Sequence, residues 1–142
     1  MELRFPMHRG TALISLLEVL SHIDGRGLFW NVSGLWAQTR HGSSLRILEM
    51  EEHTNPEPSP LWMTWFQLLR FAADAEQVID GDFAGHTTLG ATHREPIISI
   101  TAFDSTEWTV STIEPPRCDM TGFPVPGELD DAPWRIIPEA DE

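Results

Sequence analysis

Side chains able to do chemistry gather in the second half of this 142-residue chain. Asp80-Gly81-Asp82, with His86 and His93 downstream, offers oxygen and nitrogen donors, and Glu51-Glu52-His53 repeats the mixture upstream. A metal ion needs such donors at spacings that converge on one point. Neither group has the two-histidine helical spacing of a zinc hydrolase or the calcium loop with its closing Glu. Asp80-Gly81-Asp82 also reads as ordinary punctuation after a helix. Carboxylate pairs for hydrolysis can be drawn from Asp80, Asp82, Asp104 and Glu107. With 22 acidic residues in the chain, however, such pairs arise without function, and the chemistry depends on a separation the sequence does not give. Cys118, the one cysteine, lies between Arg117, which would lower its pKa, and Asp119, which would raise it. Ser105 lacks a glycine-flanked nucleophile elbow and reads as a turn residue. Gly25-Arg26-Gly27 and the glycines of residues 81–90 lack the spacing and the Lys of a phosphate loop. No catalytic residue, metal or cofactor is expected.

Charge is the stronger signal. Nine basic residues, all Arg, face 22 acidic ones, for a net charge of −13. Residues 1–70 hold six Arg against seven acids, and residues 71–142 hold three Arg against fifteen. The excess negative charge therefore belongs almost wholly to the second half. Such a chain repels nucleic-acid phosphate and anionic lipid, so neither is expected as a direct partner. A concentrated acidic face instead suits capture of a basic protein, because complementary fields speed association. Asp74, Glu76, Asp80, Asp82, Asp104 and Glu107 are the candidate contact acids. Tryptophan is a frequent interface anchor. Trp36, beside polar Gln38-Thr39-Arg40, and Trp134, in an acidic tail, are the candidate exposed anchors, whereas Trp62, Trp65 and Trp108 are expected in the core.

These residues must be positioned by local structure. Leu13, Leu16, Leu17, Leu20 and Ile23 recur at helical spacing and predict a helix over residues 11–23, capped by Thr11. Residues 28–32 predict an aromatic strand. Ser33-Gly34 then makes Leu35-Trp36-Ala37 either its continuation past a bulge or the return arm of a hairpin. Residues 45–50 predict another strand. Ser59 as N-cap and Pro60 at the first helical position predict a long helix over residues 61–79, broken at Asp80-Gly81-Asp82. Residues 97–103 and 108–113, joined by Asp104-Ser105-Thr106-Glu107, predict an antiparallel pair. From Glu114 onward six prolines and eight acids fall in 29 positions, yet Phe123, Val125, Trp134, Ile136 and Ile137 persist. That composition predicts a tail wrapped on the surface with apolar anchors inserted. The expected architecture is α+β in the order α-β-β-α-β-β, an antiparallel sheet packed by two helices. Residues 1–113 form the domain and residues 114–142 the Pro-rich acidic tail.

The segment Gln77-Val78-Ile79-Asp80-Gly81-Asp82-Phe83, followed by residues 100–110, resembles the core of immunity proteins of bacterial polymorphic toxin systems. The resemblance spans residues 60–113 and is one of profile. It implies a small cytoplasmic inhibitor that occupies a toxin domain's active site or blocks its assembly, without transferring any site residue. Met1-Glu2-Leu3-Arg4-Phe5-Pro6 lacks the basic-then-apolar order of a signal peptide, and one cysteine excludes an internal disulfide framework. No apolar run is long enough to span a bilayer. The expected function is therefore an antitoxin-type inhibitor that occludes a basic bacterial toxin or effector. The alternative is a small-ligand-binding protein or small enzyme with a Trp-lined pocket.

Overall fold

The structure, a computed structural model, describes residues 1–40, 50–51, 61–91, 93–119 and, for the backbone, 135–137. It is mixed α+β. The chain opens on strand β1 (Glu2–Pro6), followed by a short hairpin, β2 (His8–Arg9) and β3 (Ala12–Leu13). Helix α1 (Leu16–Leu20) leads to the long strand β4 (Phe29–Thr39). β5 (Leu61–Thr64) runs into α2 (Trp65–Asp74), and α2 into the twelve-residue strand β6 (Ala75–His86). β7 (Ile98–Phe103) and β8 (Glu107–Thr112) form a hairpin, and β9 is Arg135–Ile137. Seven strands make one antiparallel sheet in the order β5-β4-β6-β7-β8-β1-β9.

Several expected elements change identity. The predicted first helix shrinks to α1, because the chain turns at Gly10, φ +64°, and Thr11, and Ala12–Leu13 is extended instead. Ser15, not Thr11, caps α1, its side chain accepting from the Glu18 N–H at 3.1 Å. The predicted helix over residues 61–79 is three elements. Leu61–Thr64 pairs with Phe29–Val32, so its backbone groups are satisfied by a neighbouring strand and not by a helical turn. Thr64 then caps α2 in a reciprocal box: its hydroxyl accepts from Gln67 N–H at 3.2 Å, and Gln67 Oε1 accepts from Thr64 N–H at 2.9 Å. Past Asp74 the chain is again extended, and Asp80-Gly81-Asp82 lies within β6. Ser59 and Pro60 lie outside the described residues, as does the predicted strand over residues 45–50 except for Met50, which is helical.

Some other expectations hold, whereas Trp62, expected in the core, is only part-buried and faces away from it, opposite Asn31. Leu35-Trp36-Ala37 continues β4 past a bulge, where Gly34 adopts φ +60° and Gly34-Leu35 oppose the single residue Gly81. The β7–β8 hairpin turns through Asp104 at φ +47° and Ser105 at φ +60°, two successive left-handed residues whose twist matches the flanking strands. Trp108 is buried, and its Nε1–H donates to the Ile14 carbonyl at 2.8 Å.

Both helices lie against one face of the sheet. Alternate residues of every long strand point inward: Leu3 and Phe5, Trp30 and Val32, Phe83, Ile98 and Ile100, Trp108 and Val110. They meet Leu16, Val19 and Leu20 of α1 and Trp65, Leu68 and Phe71 of α2 in one core. The Trp30 and Trp65 rings sit 5.6 Å apart, and Phe71 meets Phe83 at 6.1 Å. Gly25 is needed there because a Cβ on it would stand 2.4 Å from the Trp65 ring. No helix among the described residues is long and apolar enough to cross a membrane.

Candidate functional site

If one residue of each strand points to the core, its neighbours point the other way, and no helix or strand among the described residues covers that second face. The register lines its side chains up in rows across the strands. Trp62, Asn31, Ala84, Ser99, Ser111 and Glu2 make one row. Ser33, Asp82, Thr101, Thr109 and Arg4 make the next. At one end of the face, Trp36 pairs with Asp80, and Phe103 pairs with Glu107 and through it with Pro6. Small hydroxyl and amide side chains dominate the middle, so the face is flat. Trp36 and Phe103 stand out from it at 50% and 61% exposure.

The carboxylates of this face are held in place but not neutralised. Asp80 Oδ1 accepts from Asp104 N–H at 2.7 Å, which ties β6 to the β7–β8 turn. Asp82 Oδ1 accepts from the Thr101 hydroxyl at 2.9 Å. Asp80, Asp82, Asp104 and Glu107 form no ion pair with the described residues. Four of the described Arg side chains are occupied elsewhere: Arg9 on Glu18, Arg26 on Asp24, Arg117 on Glu114, and Arg40 on the Ala73 carbonyl. Arg4 lies on the face, where Glu2 pairs with it at 3.5 Å, and the register sets Arg135 of β9 opposite Arg4.

Of the residues singled out in the sequence, the structure thus brings Trp36, Asp80, Asp82 and Glu107 onto one surface, with Asp104 at its rim. Asp74 and Glu76 are not part of it. Asp74 ends α2, where its carbonyl accepts from Arg40 N–H at 2.9 Å. Glu76 is the unmatched residue between the Gln38–Gln77 and Thr39–Ala75 pairs, about 13 Å along the strand from Asp80. Trp134 lies outside the described residues. Sequence reasoning missed Phe103 and Thr101 as face residues. Their signal was the alternation in Ser99-Ile100-Thr101-Ala102-Phe103, whose polar set shares one side.

The other candidates for chemistry are spent on structure. Among the described residues no three of His, Cys, Asp and Glu are grouped to hold a metal ion. His86 is buried at the end of β6, its ring edge against Trp62 at 5.7 Å, and burial, with a smaller contribution from the charge of nearby His93, pushes its pKa down. Glu51 accepts from Ala37 N–H at 2.8 Å, while Glu52 and His53 lie outside the described residues. Burial pushes the Cys118 thiol up, against smaller opposing effects of a Thr112 hydrogen bond and the Arg117 charge, so it is not poised as a thiolate. Ser105 is a turn residue whose N–H donates to the Ile79 carbonyl at 2.9 Å. A cleft of about 300 Å³ lies between residues 21–24 and 116–119. Its one guanidinium, that of Arg117, bonds Glu114 at 2.7 Å and the Asp24 and Arg26 carbonyls at 3.1 and 3.2 Å, leaving little donor capacity for an anion.

No protein-family model, no curated protein and no solved structure matches the chain, so the face must be read from its own chemistry.

Proposed function

We propose that this protein is a binding protein whose second sheet face, on which no helix or strand among the described residues packs, docks a basic protein partner, acting by stoichiometric occlusion without catalysis or cofactor. In its specific form the partner is a bacterial toxin or effector domain with a cationic cleft, and the chain is the immunity-type inhibitor that covers it. The reading is carried by one observation: Asp80 and Asp82, fixed by hydrogen bonds and without an ion pair among the described residues, lie beside a half-exposed tryptophan on one sheet face. Isolated surface acids contribute little to folding. Positioned acids beside an aromatic anchor supply the charge complementarity and the hot-spot residue type that suit docking of a basic partner. Docking at such a face should be fast and salt-sensitive. The Trp-lined ligand pocket is less well supported, because Trp30 and Trp65 pack on each other and on Gly25.

The test is affinity capture with the N-terminally tagged chain at low and moderate salt, run beside Asp80→Arg/Asp82→Arg. The reading expects one basic protein at near-stoichiometric yield on the wild type and its loss on the double reversal. An equal yield on both chains would place the interface elsewhere, and an empty capture under conditions that express the toxin would remove the inhibitor reading.

A further inference from the structure

The second sheet face offers a cation more than negative charge. Trp36 is exposed by half, and its indole meets no other ring among the described residues. It sits directly across from Asp80, a pairing that places Cβ atoms about 5 Å apart. Asp82, two residues along the same strand and on the same side, lies about 7 Å from Asp80. Each carboxylate uses Oδ1 for a bond within the sheet, to Asp104 N–H or to the Thr101 hydroxyl. The second oxygen of Asp82 faces β4, 3.9 Å from where a Cβ on Gly34 would stand, and so looks toward the strand that carries Trp36. The bulge at Gly34-Leu35 sets this arrangement, since it shifts the register between the Ser33–Asp82 and Trp36–Asp80 pairs.

We infer that this cluster selects arginine in the docking partner, stacking the guanidinium on the Trp36 indole beside the Asp80 and Asp82 carboxylates. The inference rests on the docking reading above and names the partner group that reading leaves open. Charge alone does not distinguish arginine from lysine. The indole does, because a guanidinium is flat, weakly hydrated and stacks on an aromatic face while its N–H edge still reaches carboxylates. Tryptophan is also the best aromatic partner for a cation. At an exposed site a cation gains about two- to fivefold in affinity from an indole, which sets the ceiling on the preference for arginine over lysine.

The experiment titrates the full chain with two capped peptides of equal length and charge, one of four Arg-Gly repeats and one of four Lys-Gly repeats. Backbone and Trp36 indole N–H resonances are followed, the latter assigned through Trp36→Phe. The expected result is that both peptides shift the Asp80, Asp82 and Trp36 signals and that the arginine peptide binds tighter, by up to about fivefold. Trp36→Leu, which keeps apolar bulk, should abolish the preference by weakening the arginine peptide more than the lysine peptide. Asp80→Asn/Asp82→Asn should weaken both peptides. Equal affinities on the wild type, or a preference that survives Trp36→Leu, would overturn arginine selection while leaving the acidic docking face standing. No shift at these residues with either peptide would remove the docking face and arginine selection together.

Discussion

Gly25→Ala is the sharpest perturbation of the core that supports this face. The backbone of Gly25 is not left-handed, so alanine's conformation is allowed and its methyl decides the outcome. That methyl would stand 2.4 and 2.6 Å from two Trp65 ring carbons and 2.8 Å from one of Trp30. Neither ring can retreat: Trp30 is fully buried, Trp65 is 8% exposed, and the two are already in contact at 5.6 Å. Overpacking of this kind costs about 1–3 kcal/mol, and three sub-van-der-Waals contacts with stiff rings point to the upper part of that range. The gain from a less flexible unfolded chain, about 0.4–1 kcal/mol, offsets only part of it. The net loss is about 2 kcal/mol, or a Tm lower by roughly 6–10 °C for a chain of this length. Thermal unfolding followed by circular dichroism measures it. Trp65→Leu in the same background should recover part of the loss, because it removes the atoms the methyl meets. A Tm equal to or above the wild type would refute the packing of Gly25 against the two tryptophans.

Two further outcomes follow from buried polar groups. His86 is held neutral in the folded chain with its pKa pushed below the ordinary 6.5 by burial first and by nearby His93 second. The unfolded chain takes up this proton first, so the contribution of His86 to stability is complete above about pH 6.5 and is lost as pH falls toward the folded pKa. Denaturant unfolding at pH 8 and pH 5 should show a smaller loss on acidification for His86→Leu than for the wild type, and an identical loss would contradict the burial of this ring. Trp108→Phe removes the donor to the Ile14 carbonyl while nearly keeping the ring. It should destabilise the chain by about 1–3 kcal/mol, measured by the same denaturant titration, and an unchanged midpoint would mean that the carbonyl finds another partner.

How much of this was legible in the sequence differs from element to element for physical reasons. The β7–β8 hairpin announces itself, since Trp108-Thr109-Val110-Ser111 alternates with period two and Asp104-Ser105 suits a tight turn. The helix reading of residues 61–79 fails because Leu61, Trp65, Leu68 and Ala72 fit a helical stripe, although the first is paired in a strand. Thr64-Trp65-Phe66-Gln67, the pattern of a capping box, marks the true helix start in the sequence and outweighs Ser59-Pro60. In β6 the alternation of Gly81, Phe83 and Gly85 with Asp80, Asp82 and Ala84 is a strand signal. The Asp-Gly-Asp motif hides it by looking like a helix stop. The inward glycines are there because Trp30 and Leu28 fill the space above Gly85, and Phe83 and Leu35 that above Gly81. Such long-range packing leaves no local trace. The candidate site was legible in residue type and only partly in place. Asp80 and Asp82 share a face because β6 is a strand, whereas Asp74 and Glu76 were assigned to it through a helix that ends too early. Phe103 and Thr101 join it only through pairing with strands distant in sequence, which composition does not encode.

The most direct measurement of the central claim is carboxyl footprinting of the complex with the captured basic partner. A carbodiimide label is applied to the free and the bound chain, and modification of each acid is read by mass spectrometry. The account predicts that Asp80, Asp82 and Glu107 are labelled in the free chain and protected in the complex, with Asp104 protected in part at the rim. Glu18, Glu76 and Glu114, which lie off the face, should label equally in both. Protection of those three with undiminished labelling of Asp80 and Asp82 would contradict the assignment of the open sheet face as the docking surface.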